Sequence, residues 1–180
     1  MRNRRPARKL TAEELFEHAV RHLAISGCSS EELKNKLRVK AIRLADIDGV
    51  IERLRDIGYL NDTRFAESYA SSRVENAGLG RARVLSDLRG RRIPPALAEK
   101  AVEQAFEGKN EAELIEAYID RRMPSLRVST AIEDERELAK AYRRLRRAGF
   151  TSGPVMQALK RRAARPEMLE EPAEDEREES

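Results

Sequence analysis

The sequence predicts an all-α protein with nine helices arranged as three tandem three-helix repeats. Apolar residues recur at helical spacing along most of the chain, and glycines and prolines interrupt this pattern about every fifteen residues. Charged residues make up 38% of the chain and aromatic residues only 4%. This composition favours many exposed helical faces around modest cores. Because three short helices bury little apolar surface alone, we expect neighbouring repeats to pack into an elongated, curved rod.

The first predicted repeat covers residues 11–59. Its first helix ends near Gly27, its second is short, and its third begins near Leu44. Gly58 can supply the left-handed residue that closes the third helix. The first two helices are each preceded by the spacing of a capping box, Thr11 with Glu14 and Ser29 with Glu32.

The second predicted repeat covers residues 60–108. Asn61 or Asp62 suits the N-cap of the fourth helix, and Gly78 and Gly80 interrupt the pattern before the fifth. Pro94 or Pro95 fits the first turn of the sixth helix, which ends at Gly108. The fourth helix is expected to bury one face, Phe65, Ala66, Tyr69 and Ala70.

The third predicted repeat covers residues 109–164. A seventh helix begins near Asn110 and stops before Pro124, because a residue preceding proline is pushed out of the helical region. We expect a loop over residues 124–130. The eighth helix is predicted from about Ile132 to Ala148, and the ninth from about Ser152 to Ala164.

A shared register supports the three repeats. Leu37, Leu88 and Leu145 are spaced 51 and 57 residues apart, and each is followed directly by arginine. The residue five places after each leucine is apolar. Two more small or apolar residues lie eight and nine places after that apolar residue. A long coiled coil is the alternative fold, but the frequent glycines and prolines disfavour it. The residues five places on are Ile42, Ile93 and Phe150.

Charge is distributed unevenly along the chain. The net charge is +4, but residues 166–180 carry eight carboxylates against Arg177, which leaves +11 for residues 1–165. We expect residues 1–10 to be a disordered basic arm and residues 165–180 a disordered acidic tail. The basic remainder suits a partner that carries phosphates or a carboxylate-rich surface.

The sequence offers little for catalysis, and we expect no enzyme, cofactor or metal site. His18 and His22 are four residues apart but lack the glutamate of the zinc-protease motif, so we interpret them as helix-surface side chains. Cys28, the single cysteine, is predicted to be a packed side chain rather than a nucleophile. The chain has no P-loop and no apolar run long enough for a membrane span. A cytoplasmic monomer that acts by binding is therefore expected.

Arginine greatly outnumbers lysine, which suits bidentate contacts to phosphate or carboxylate. We predict that a set of arginines in the second and third repeats contacts the partner. A helix-turn-helix DNA-binding regulator and an interaction scaffold without nucleic acid remain alternatives. The candidate residues are Arg73, Arg81, Arg83, Arg89, Arg91, Arg92, Arg121, Arg122, Arg143, Arg144, Arg146 and Arg147.

The segments "SSEELKNKL", "GYLNDTRFAESYASSR", "GRARVLSDLRGRRI" and "RRLRRAGF", in this order, resemble the RecX family of bacterial recombination regulators. The resemblance covers roughly residues 11–163. It implies tandem three-helix repeats that lie in the groove of the RecA recombinase filament on single- or double-stranded DNA. It also implies impeded filament growth and suppressed ATP hydrolysis, strand exchange and coprotease activity. The matching residues are Tyr59, Leu60, Asn61, Asp62, Phe65 and Ala66, then Arg73, Gly80, Arg81 and Leu88.

One departure from the family pattern concerns the turn before each third helix. The family tends to place glycine just before the apolar residue that opens that helix. Gly149 keeps this pattern, whereas Ala41 and Arg92 stand at the equivalent places of the first two repeats. We therefore expect left-handed backbone geometry at Gly149, with the first two turns open to a different geometry.

Overall fold

The computed structural model describes residues 8–126 and 134–164, and these ranges are all-α, as predicted. They contain nine α-helices, one 3₁₀ helix and no β-strand, with an isolated bridge between Leu10 and Ala41. The predicted order of nine helices is confirmed for this part of the chain. The helices are α1 Ala12–Ile25, α2 Ser30–Arg38, α3 Asp46–Asp56, α4 Asp62–Glu75, α5 Arg81–Gly90, α6 Pro95–Ala105, α7 Glu111–Arg122, α8 Glu135–Arg147 and α9 Ser152–Lys160, with the 3₁₀ helix at Pro124–Leu126.

The chain forms two compact units. Among the described residues, the first comprises residues 8–71 with 85–105, and the second comprises residues 72–84, 106–126 and 134–164. The boundaries of the three predicted repeats stay a prediction. Residues 1–7 of the predicted basic arm, 127–130 of the predicted loop, Ile132 and the predicted acidic tail lie outside the described ranges.

The core of the first unit is built largely by α1, α2 and α3. Leu15, Leu37 and Leu54 are completely buried there. Both predicted capping boxes are present, because Thr11 and Ser29 each accept from the backbone N–H three residues later. In return, the backbone N–H of Ser29 donates to Glu32 Oε2 at 3.2 Å. These caps satisfy amides that would otherwise be unpaired at the start of each helix.

The turn from α3 to α4 is held by backbone hydrogen bonds. Gly58 has a φ of 76°, as predicted for a left-handed cap, and the N–H of Tyr59 donates to Leu54 O at 2.9 Å. Of the two predicted caps for α4, Asn61 takes the role, since its Oδ1 accepts from the N–H of Arg64 at 2.9 Å. Asp62 accepts instead from the N–H of Ser30 at 2.7 Å, at the start of α2.

The core of the second unit lies among α7, α8 and α9. Ile115, Leu145 and Leu159 are completely buried, and the ring of Tyr118 meets Phe150 edge-on with centroids 5.6 Å apart. Tyr118 is half-buried, and its ring serves packing. The apolar stripe of α8 leaves its opposite face to charged side chains.

Two predicted boundaries in the second unit are wrong. Residues 124–126 form a 3₁₀ helix where a loop was expected. The helix α9 ends at Lys160, four residues before the predicted Ala164, because Arg162 turns inward. Its Nε donates to Leu126 O at 3.0 Å and its Nη1 to Ala158 O at 2.8 Å.

The N-terminal residues Arg8, Lys9 and Leu10 correct the expectation of a disordered arm over residues 1–10. The backbone N–H of Leu10 donates to Lys40 O at 2.7 Å, and Leu10 O accepts from the N–H of Ile42 at 3.0 Å. Lys9 Nζ donates to Val39 O at 3.1 Å, and Arg8 pairs with Glu14 at 2.6 Å. These residues are therefore attached to the turn between α2 and α3.

The repeat register is confirmed at the three leucines and fails at one position. Leu37, Leu88 and Leu145 are each 0% exposed, and Ile93 and Phe150 are buried. Ile42, however, is 59% exposed, and Ala41 is buried instead. The bridge to Leu10 gives the first turn an extended geometry, which shifts the inward-facing position by one residue.

Candidate functional site

Each predicted repeat has a turn between its second and third helix, and we call residues 38–42, 89–93 and 146–150 the repeat turns. A backbone carbonyl three residues after the repeat leucine accepts a hydrogen bond in every one of them. Lys40 O accepts from the N–H of Leu10 at 2.7 Å, and Ala148 O from the N–H of Gly80 at 2.8 Å. Arg91 O accepts from the hydroxyl of Ser29 at 2.6 Å. The repeat turns are thus fixed within their own units.

The third repeat turn lies so close to Gly80 that neither chain has room for a side chain there. A Cβ added to Gly80 would lie 2.7 Å from Phe150 N and closer still to the backbone of Gly149. Gly149 has a φ of 94°, the predicted left-handed geometry. Arg92 at the equivalent place adopts φ 58° without being glycine, the one such residue in the described ranges, whereas Ala41 does not. The departure from the family pattern therefore changes the geometry of the first repeat turn alone.

Arg91 is a packing residue of the first unit. Its Nη1 lies 3.4 Å from Glu32 Oε2, and its guanidinium lies 4.8 Å from the ring centroid of Tyr69 and 5.6 Å from that of Phe65. A guanidinium over aromatic faces and beside a carboxylate is attracted to both. Arg91 is half-buried. Among the candidate arginines it is thus one whose removal would disturb the fold.

Several other candidate arginines also have partners within the protein. Arg89 pairs with Glu99 at 3.5 Å, and the guanidinium of Arg81 lies 5.1 Å from the Phe106 ring centroid. Arg73 and Arg83 each make an interaction as well. Arg121 donates to Asn76 O at 3.0 Å and Arg146 to Phe150 O at 2.7 Å.

Among the described residues, the exposed face of α8 carries the densest group of cations without such partners. Arg143, Arg144 and Arg147 are exposed, and no carboxylate or carbonyl of the described residues pairs with them. Arg136 and Lys140 continue the row at spacings of three and four residues, which places them on the same face. From Arg136 to Arg147 the row covers about 16 Å of helix. We call these five residues the α8 cation row.

Part of the α8 cation row borders a groove of about 350 Å³ in the second unit. Arg136, Lys140 and Arg144 line it together with the acidic Asp134 and Glu137 and the apolar Met123 and Leu126. Neither Arg136 nor Lys140 was among the predicted contact residues. The sequence signal that finds them is the spacing of cations opposite the buried stripe Leu138, Ala141 and Leu145.

Arg92 and Arg122 are the remaining candidates. Both are exposed, and the described residues show no ion pair for either. Arg122 borders a cavity of about 150 Å³ together with Lys109 and Tyr118. That volume is below the usual size of a small-molecule site, about 300 Å³ or more. The structure thus separates the twelve predicted arginines into paired side chains, a three-arginine group on α8 and these two.

Burial shifts the pKa of each of the three side chains that were considered as metal ligands or nucleophiles, His18, His22 and Cys28. Burial lowers the pKa of His18 and of His22, aided by nearby cations, so both imidazoles favour the neutral form. Burial raises the pKa of the Cys28 thiol to about 11, and the side chain is only 5% exposed. Cys28 is therefore the packed side chain that was predicted.

The sequence did not predict the ion pair between Arg162 and Glu116. Arg162 is buried and reaches both carboxylate oxygens of Glu116, and Arg161 pairs with the same carboxylate at 2.7 Å. The hydrogen bond from Arg162 holds the pKa of Glu116 below its ordinary value of 4.5, against the opposing effect of burial. The pair connects α7 to the end of α9.

Comparison with known proteins identifies the family. A family model described as "RecX, second three-helix domain" matches residues 61–102. Regulatory protein RecX of Syntrophotalea carbinolica is 30% identical over 144 residues, which cover 80% of this chain and 93% of that protein. The chain belongs to the RecX family of regulatory proteins. Regulatory protein RecX of Treponema pallidum, 27% identical, matches 84% of this chain and 78% of its own length.

Solved RecX structures share the fold. The crystal structure of RecX from Lactobacillus salivarius has a TM-score of 0.61 at 21% identity, covering 83% of this chain and 95% of that one. A second structure of a regulatory protein RecX has a TM-score of 0.62 at 18% identity.

In the RecX motif of this chain, Leu60 and Ala66 are buried, while Asn61 and Asp62 cap helices. No helix of the described ranges is long and apolar enough to cross a membrane.

Proposed function

We propose that this protein binds the RecA recombinase filament on DNA and inhibits its ATP hydrolysis, strand exchange and coprotease activity. In this role it modulates homologous recombination and DNA repair without catalysis of its own. Family membership supports the regulatory role, because the relatives are named regulatory protein RecX. The observation that carries the DNA-binding part is the α8 cation row, whose side chains have no partner among the described residues.

Phosphate binding follows from the chemistry of that row. Arginine presents a planar set of donors that fits a phosphate, and each cation that neutralises a phosphate releases condensed counterions. Arginines already paired with carboxylates would have to lose those pairs first. The unpaired cations of α8 therefore contribute more to DNA affinity than Arg89 or Arg91 does.

The test is an inhibition titration. The purified chain should slow RecA-driven ATP hydrolysis on single-stranded DNA at ratios well below one per recombinase subunit. The variant R143Q/R144Q/R147Q should weaken that inhibition at least tenfold. A matched control is R38Q/R43Q/R89Q, which removes the same charge from exposed arginines paired with Glu31, Asp46 and Glu99, and it should inhibit like the wild type.

Two outcomes would contradict the proposal. One is an absence of inhibition by the wild type at equimolar protein. The other is equal loss in both triple variants, which would show that net charge alone is responsible. Changing Arg89, Arg91 and Arg92 together is a poorer test, since Arg91 packs against Tyr69 and its loss would lower stability.

A DNA-binding regulator that acts without RecA is the second candidate, because the α8 cation row would also bind bare DNA. This candidate predicts tight, salt-dependent binding to duplex DNA with no effect on the recombinase. If three phosphates of the duplex are contacted, affinity should fall about fortyfold between 50 and 200 mM salt. Comparing bare-DNA binding with filament inhibition in the same buffer separates the two candidates.

A further inference from the structure

Large apolar side chains are exposed in one part of the described chain. All of them fall between residues 25 and 59, in the first unit. Two of them, Ile57 and Tyr59, frame Gly58 in the turn from α3 to α4 and are 49% and 56% exposed. The others are Ile25, Val39, Ile42 and Leu44.

Tyr59 stands out because its neighbours in the motif have structural roles and its ring does not. Leu60 is buried, Asn61 caps α4, and Asp62 accepts from the N–H of Ser30. More than half of the surface of Tyr59 faces solvent.

The backbone around Tyr59 is fixed. Its N–H donates to Leu54 O at 2.9 Å, and the N–H of Leu60 donates to the same oxygen at 3.1 Å. Gly58 before it is held in the left-handed conformation by a hydrogen bond to Arg55 O at 2.9 Å. An aromatic side chain on an anchored backbone loses little entropy on binding, which is the property of interface anchors.

The charges near Tyr59 in the sequence favour a protein over a nucleic acid as its partner. Residues 52–62 carry Glu52, Asp56 and Asp62 against two arginines. Arg53 pairs with Glu13 at 2.9 Å and lies 3.8 Å from the Phe16 ring centroid, and Arg55 lies 3.8 Å from Asp62. This segment therefore has no excess of cations to attract phosphates. An isoleucine beside the tyrosine also favours an apolar protein surface over a stacked base.

We propose that Tyr59, together with Ile57, anchors the first unit to an apolar patch on a protein partner. The inference rests on the proposed function, in which that partner is a subunit of the recombinase. Protein and DNA are then bound by different parts of the chain: Tyr59 and Ile57 contact the recombinase, and the α8 cation row contacts phosphates. Tyrosine suits the first role because it combines a large apolar area with few rotatable bonds.

The experiment measures binding of the full chain, labelled at its N-terminus, to recombinase filaments on single-stranded DNA and to the same DNA alone. The variant I57S/Y59S should bind filaments at least tenfold more weakly and bare DNA within twofold of the wild type. Y59F should retain filament binding, because the ring supplies the contact. L44S is the matched control: Leu44 is 65% exposed and lies before α3 rather than after it. It should bind like the wild type.

Thermal unfolding of I57S/Y59S should match that of the wild type, since both side chains are exposed. Filament binding by I57S/Y59S equal to that of the wild type would overturn the inference, as would parallel loss of bare-DNA binding. A wild type that does not bind filaments would overturn it too. The proposed function fails separately, when the wild type binds filaments yet leaves ATP hydrolysis unchanged.

Discussion

Gly80 and Gly149 meet backbone to backbone, so that a Cβ on Gly149 would lie 2.8 Å from the carbonyl oxygen of Gly80. Two hydrogen bonds stabilise the contact. The N–H of Gly80 donates to Ala148 O, and the N–H of Ala82 donates to Gly149 O at 3.3 Å. Neither position has room for a side chain. The start of α5 is thereby fixed on the third repeat turn.

G80A should therefore destabilise the protein by about 1–3 kcal/mol, because the new methyl group overlaps backbone that cannot move independently. The matched control is G49A, within α3, where an added Cβ meets nothing within 4 Å. That change should stabilise the helix by about 0.5–1 kcal/mol. Urea unfolding measures the change in the free energy of unfolding of both variants. A change of the same sign in G80A and G49A would contradict the packing described.

The left-handed backbone of Arg92 predicts that the substitutions R92G and R89G change stability in opposite directions. R92G should raise stability by about 0.5–1 kcal/mol, because it relieves a conformation costing a non-glycine residue about 1–2 kcal/mol. R89G, in the last turn of α5, should lower stability by about 1 kcal/mol. Denaturant midpoints of the two variants should fall on either side of that of the wild type. A destabilised R92G would show that the side chain of Arg92 contributes to the fold.

The Glu116–Arg162 pair predicts acid sensitivity. The carboxylate is held ionised in the folded state, so its contribution is present above about pH 4.5 and is lost as the pH falls through the lowered pKa. E116Q should lose at least about 1 kcal/mol at pH 7, because it leaves the buried Arg162 without its counter-charge. The stability of E116Q should then change less than that of the wild type between pH 6 and pH 3. Parallel pH curves would contradict this assignment.

Cys28 should be inert in the folded protein. With a pKa of about 11, its thiolate fraction at pH 8 is about two orders of magnitude below that of a free cysteine, and burial blocks access in addition. Reaction with a disulfide reagent should be at least a hundredfold slower than in urea-unfolded protein. Fast modification under native conditions would show that the start of α2 opens readily.

Local signals in the sequence predicted much of this fold. The capping boxes of Thr11 and Ser29, the left-handed Gly58 and the buried repeat leucines are all confirmed. Such features depend on residues close in the chain. The failure at Ile42 has a different origin, because the hydrogen bonds to Leu10 cross from another part of the chain and redirect the turn.

The candidate site was less predictable for the same reason. Arg89, Arg91 and Arg143 look alike in sequence, yet the first pairs with Glu99 and the second packs on Tyr69. Whether an arginine has a partner depends on residues distant in sequence. Burial of Arg162 against Glu116 had no local signal, since "KRRAAR" resembles a solvated charge run.

The acceptors at Lys40, Arg91 and Ala148 are main-chain oxygens, which every amino acid supplies. Mutation at these three sites therefore leaves the acceptor in place, and lysine, arginine and alanine occupy them without loss of the hydrogen bond. The donors differ as well, two being amides and one a hydroxyl. Side chains at these three positions can therefore differ freely while the same main-chain attachment is kept, so the attachment leaves no trace in residue identity.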